Sequence, residues 1–237
     1  MTTKQDDMNY ILENITAKRF GEIEDELSAI PNWLAHLNTP LSEEQRAVMT
    51  AQLKDKFSEI LDILKIDKHD PNVKSTPMRI ASMWVNEWMI GRYQNEPRIE
   101  AFPNAEYSET VGEIVSKKCK VQSLCSHHFA SFFTNSVNPS SYCTITYVAT
   151  GEYLGISKIT RIVDYYARRP QLQESLSRMV RKHLVKIIGS ENVMVSMNDL
   201  IHTCEYTRGA SDQEASTSTL TYGGVFNDPA VRAQYIK

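Results

Sequence analysis

Cys125-Ser126-His127-His128 places a thiol and an imidazole with two residues between them, and His202-Thr203-Cys204 adds a second thiol about eighty positions later. Two thiols and one imidazole, Cys125, His128 and Cys204, can hold a zinc ion and leave its fourth position open to water. An open position marks a catalytic site, whereas a structural site fills all four. Soft sulfur and nitrogen donors favour zinc over magnesium or calcium, which take oxygen. His127 and His202 each lie within two residues of a candidate ligand and could move protons beside activated water. Cys-x-x-His alone also arises by chance, and a single histidine on an apolar segment is often a packed core residue. Cys204, arriving with its own histidine, is what strengthens the metal reading; spacing alone leaves it open.

Three other segments carry chemistry or bland alternatives to it. In Gly155-Ile156-Ser157-Lys158-Ile159-Thr160-Arg161 the two cations are three apart and share one helical face. With the Ser157 hydroxyl they suit an anion near a helix start; a solvated basic face explains the same residues. Gln173 and Glu174 lie in the first turn of a helix, where a carboxylate complements the helix dipole. A fixed carboxylate can equally accept two hydrogen bonds from a guanine edge. Arg208-Gly209 is compatible with phosphate and with a surface turn.

These side chains must be positioned by ordinary secondary structure. The 237 residues are 41% hydrophobic and 23% charged, with a net charge of -3, which fits a globular chain and gives no basic footprint for nucleic acid. No stretch of eighteen apolar residues would span a membrane. The polar, acidic start Met1-Thr2-Thr3-Lys4-Gln5-Asp6-Asp7 is unlike a secretory signal, so a reducing, cytoplasmic setting is expected. Cys119 and Cys143 read as small buried hydrophobes. Helical pieces are expected over 7–29. A capping box at Ser42-Glu43-Glu44-Gln45 should open a helix whose apolar stripe is Met49, Leu53, Phe57, Ile60, Leu61 and Leu64. A second helix should run from Thr76-Pro77 to a stop at Gly91. Beyond Val111, alternating segments at 144–149, 193–197 and 217–222 read as strands. Helices are expected at 156–168 and, from Pro170, to 188, ended by Gly189. Helices first, then strands and helices mixed, give an α+β class with a largely antiparallel sheet.

The ordered motifs together resemble the GTP cyclohydrolase I family. They are Thr76-Pro77-x-Arg79-Ile80-Ala81-x-Met83, Cys125-x-His127-His128 and Gly155-x-Ser157-Lys158-x-x-Arg161-Ile162-Val163. Ala167-x-Arg169-Pro170-Gln171-x-Gln173-Glu174, His202-x-Cys204, Arg208-Gly209 and Gly223-Gly224-Val225-Phe226 follow. The likeness spans about residues 42–226. It implies a tunnelling fold over 111–237, with helices packed on one side of a mainly antiparallel sheet. A helical region at 41–110 and a partly helical extension at 1–40 would precede it. It implies a homodecamer with sites between subunits, zinc on Cys125, His128 and Cys204, and proton handling by His127 and His202. Glu174 with Gln173 would hold guanine, and Ser157, Lys158, Arg161, Arg208 and Arg79 the ribose and phosphates. The implied reaction opens the imidazole ring of GTP, releases formate and recloses the product as 7,8-dihydroneopterin triphosphate.

Three positions depart from the family pattern. Ser126 replaces a glutamate, Ser82 a lysine and Ser211 a basic residue. A lost charge-assisted phosphate contact costs about 1.5–3 kcal/mol, so an altered phosphate preference is one alternative. A non-catalytic, zinc-containing member that binds nucleotide or a regulatory partner is another. The segment 129–142 is longer than the family norm, which suggests a lid or an altered subunit contact.

Overall fold

The computed structural model describes residues 4–103, 111–150, 152–207 and 215–236. The chain divides into two compact units, Met1–Asn95 and Glu96–Lys237.

The first unit is helical: α1 (Lys4–Asn14), α2 (Ala17–Ala29), α3 (Glu43–Ile63), α4 (Thr76–Met83) and α5 (Ile90–Tyr93). The capping box forms as expected. Ser42 Oγ accepts from Gln45 N at 3.1 Å and Gln45 Oε1 from Ser42 N at 2.9 Å. Of the expected α3 stripe, Leu61 is buried, Met49, Leu53 and Phe57 are half-buried, and Ile60 and Leu64 are exposed. The second helix differs from expectation. After α4 the chain widens into a π-helical turn, Trp84–Trp88, closed by Met89 N–H donating to Trp84 O. Gly91 therefore sits buried inside α5 and stops nothing.

The second unit holds β1 (Phe102–Pro103), β2 (Val111–Cys119), β3 (Gln122–Cys125), β4 (Ser131–Thr134), β5 (Tyr142–Thr150), β6 (Glu152–Tyr153), α6 (Ile156–Ala167), β7 (Pro170–Gln171), α7 (Gln173–Ile188), β8 (Val193–His202), α8 (Thr203–Thr207), β9 (Thr217–Thr221) and α9 (Pro229–Ala233). The main sheet runs β2-β5-β8-β4-β3-β7, with β9 also on β8; all pairs are antiparallel except β3 with β7. This is the expected α+β class. Ile145, Tyr147 and Ala149 of β5 and Val193, Val195 and Met197 of β8 share one fully buried core with Ile159 and Ile162 of α6 and Leu176, Val180 and Leu184 of α7. Cys119 and Cys143 lie in it as small buried thiols, and burial pushes both up from the ordinary thiol range.

One expectation fails here. Pro170 belongs to a short strand beside Leu124, and the helix opens only at Gln173. Within the segment 129–142, residues 131–134 form β4, which lies inside the sheet between β3 and β8.

The glycine pair at 223–224 is structural. Gly224 has φ +58°, and a Cβ there would fall 2.0 Å from Asn192 Oδ1 and 2.8 Å from Asn192 N. Gly224→Ala should therefore destabilise the fold by on the order of 2 kcal/mol, read as a Tm lowered by roughly 4–8 °C.

Candidate metal centre

The sheet brings Cys125, His128 and Cys204 together. Their ligand atoms lie within 4.8 Å of one another. Cys125 ends β3, gripped between its antiparallel neighbour β4 and the parallel β7, where its partner is Gln171. The chain reverses through residues 126–130, with Cys125 N–H donating to Ala130 O at 2.8 Å and Phe129 N–H to Cys125 O at 2.9 Å. Phe129 takes φ +52°, an uncommon value for a bulky residue, and such strain collects at functional turns. This reversal carries His127 and His128, both exposed, with ring centroids 6.2 Å apart. Cys204 arrives from the other side. β8 pairs His202 with Phe132 of β4, and Thr203 Oγ1 donates to Ser131 O at 2.8 Å as α8 begins.

The donor set fits a soft divalent ion. Burial, and then the neighbouring Cys125 sulfur, push the Cys204 thiol up from its ordinary range. A cation between the two sulfurs reverses that sign and favours both thiolates. Beside them, Glu205 Oε2 is buried and has no hydrogen-bond partner among the described residues. No fourth Cys, His, Asp or Glu joins the cluster among the described residues.

His202 ends β8, two residues before Cys204. Its ring stacks on Phe132, with centroids 4.8 Å apart and planes within 6°. Its Nε2 is 2.8 Å from Gln173 Oε1. Burial lowers its pKa from the ordinary histidine value, while Glu205 and Glu174 act in the opposite sense. Gln173 points inward and is buried; its neighbour Glu174 is exposed in the same helical turn.

The other candidate residues stand elsewhere. Ser157 and Lys158 occupy the first turn of α6, and Arg161 the next; Ser157 and Arg161 are exposed. The far end of α6 leads into β7, which holds Cys125. Lys158 is thus nine residues, and Arg161 six, from the end of α6 that leads toward Cys125, about 13 Å and 9 Å of helix at 1.5 Å per residue. Arg79 is exposed on α4 of the first unit, and Ser82 is buried there. Arg208 and Ser211 lie outside the described residues. Ser126 is half-buried, with its N–H donating to Gln171 O at 3.2 Å.

Sequence reasoning missed Phe132, which has no motif and is identified only by strand pairing, and Glu205, whose position next to Cys204 was a usable signal.

Comparison with known proteins bears on all of these residues. A family model described as GTP cyclohydrolase I matches residues 53–237. A protein named GTP cyclohydrolase 1 from Vibrio vulnificus (strain YJ016) is 33% identical over 205 residues, 84% of this chain and 89% of its own. The protein of that name from Flavobacterium johnsoniae is 34% identical over 187 residues, 78% and 79% of the two chains. The one from Serratia proteamaculans (strain 568) is 34% identical over 194 residues, 80% and 83%. Motif order, a three-donor cluster within reach of one ion, and these matches over most of the sequence agree: the chain belongs to the GTP cyclohydrolase I family.

Proposed function

We propose that the protein hydrolytically opens the guanine imidazole ring of GTP, releases formate and recloses the remainder as 7,8-dihydroneopterin triphosphate, with zinc held by Cys125, His128 and Cys204. The observation that carries this reading is the convergence of those three donors from a β-turn and a strand end, beside two histidines that the ligand set does not use. Zinc bound there supplies Lewis acidity, which makes water a nucleophile near neutral pH. His202 gives a proton to N7 of the purine, and that makes C8 electrophilic. His127, exposed on the turn, exchanges protons with the opening ring. Glu174 accepts from the guanine ring N–H and amino group. Ser157 and Lys158 serve the ribose, where ring opening needs a proton donor, and Arg161, Arg208 and Arg79 hold phosphate.

The placement of α6 supports a site shared between copies. Within one chain the first turn of α6 and the strand beside Cys125 stand toward different ends of that helix, so a nucleotide using both would have to span it. A second copy that presents its own α6 N-terminus resolves this. β2 is compatible with the same arrangement: nine residues long, it pairs only with β5 among the described residues, and covering by a second chain is one of the ways such an edge is protected.

Incubating the zinc-loaded protein with GTP tests the function. One formate per GTP and the absorbance of a pterin are expected. Neither, from a protein with its metal bound and its copies assembled, would favour the non-catalytic reading. His202→Ala should keep zinc and assembly and lose ring opening by about 10²–10⁴-fold; an unchanged rate would remove its proton role.

A further inference from the structure

The amide of Gln173 determines which nitrogen of His202 is available for chemistry. Gln173 opens α7 and is only 2% exposed. Its Nε2 lies 3.0 Å from the carbonyl oxygen of Thr217 and 2.5 Å from Thr219 Oγ1, at β9. Its Oε1 lies 2.8 Å from His202 Nε2. A carbonyl oxygen cannot donate, so the side of the amide that meets Thr217 must be the NH2 group. Turning the amide over would set two acceptors face to face. The oxygen is therefore the atom that meets His202, and it can only accept. His202 Nε2 must carry a hydrogen, which leaves Nδ1 as the nitrogen free to exchange a proton. Phe132, parallel to the imidazole, holds the plane of the ring. Gln173 holds its rotation within that plane.

We propose that Gln173 is a positioning residue for His202, aimed by β9, in place of the guanine contact that the resemblance implies, and that His202 exchanges its proton through Nδ1. The inference rests on the reading of His202 as a proton-handling group. Its physical basis is that both hydrogens of the Gln173 NH2 group are spent on β9 and its oxygen on the imidazole, while burial leaves little surface for a ligand. The strand Thr217–Thr221 thereby becomes part of the catalytic apparatus without touching substrate. Supporting partners of this kind, one step removed from the reacting groups, change rates by about 10–100-fold in comparable settings.

The test uses the full-length, zinc-loaded protein with GTP and the variants Gln173→Ala, Thr219→Val, His202→Ala and the double Gln173→Ala/His202→Ala. Gln173→Ala should lower kcat by about 10–100-fold and leave KM within about twofold. Thr219→Val, which preserves the shape of the strand, should lower kcat in the same direction by less, because Thr217 still anchors the amide. The double variant should be no slower than His202→Ala alone, since Gln173 acts through that ring. In protein carrying ¹⁵N-histidine, solid-state spectra should show His202 with hydrogen on Nε2, and Gln173→Ala should mix the two tautomers. A raised KM with kcat unchanged would make Gln173 a substrate contact and overturn the proposal. So would losses that multiply in the double variant while His202→Ala alone is slow; in that case the proton role of His202 stands. A fully active His202→Ala protein would overturn both.

Discussion

Cys204→Ala should lose tight metal binding and fall in turnover by about a thousandfold or more, because a Lewis-acidic ion contributes several kcal/mol to the reaction and each 1.36 kcal/mol is a decade in rate. The expectation follows from where Cys204 stands. It enters from the end of β8, opposite the turn that carries Cys125 and His128, so its sulfur is the donor that closes the group across the sheet. Without it two donors remain, both from one turn. Metal content of the purified variant, measured beside its rate, checks the claim. Cys143→Ala is the control: that thiol is buried in the core beside Cys119 and should keep its metal. Full zinc occupancy in Cys204→Ala would take Cys204 out of the ligand set.

The second large effect is a gain. Lys158→Ala and His202→Ala should each be nearly inactive, and the two proteins unfolded and reassembled together should regain activity. On the proposed shared site, each working centre takes the metal end of one copy and the α6 N-terminus of another. Random mixing of equal amounts then restores roughly a quarter of parental activity, one half times one half. If a single chain supplied both ends, the mixture would stay as inactive as its parts. The expectation rests on the proposed sharing between copies, with Lys158 in the first turn of α6 and His202 two residues before Cys204.

Much of the centre was legible in the sequence because its donors are chemically rare. Thiols and imidazoles at short spacing suggested a metal before any fold was known, and Cys204, arriving with His202, strengthened it, though spacing alone left the reading open. The capping box at Ser42 was legible because it is local, completed within four residues. Other features depend on distant partners and left no local trace. β4 is four residues long and is a strand only because β3 and β8 flank it. Pro170 looked like a helix start, yet Leu124 beside it makes the segment a strand. The π-helical turn after α4 inserts one residue into a period that otherwise reads as α-helix, and this displaced the expected role of Gly91. The apolar stripe expected on α3 matches its buried face only at Leu61; Ala47, Val48 and Thr50 are the other buried residues, and Ile60 and Leu64 lie exposed. Arg169, read as part of a motif, is almost wholly buried, with its guanidinium over the rings of Tyr165 and Tyr166. Gln173 shows the limit most clearly: next to Glu174 in sequence it suggested a shared ligand, while its actual partners are 29 to 46 residues away.

X-ray absorption at the zinc edge of the loaded protein measures the central claim directly. Two sulfurs at about 2.3 Å, one imidazole nitrogen and one further light atom that exchanges with solvent are the expected shell. A third sulfur, or a second imidazole closing the fourth position, would contradict it.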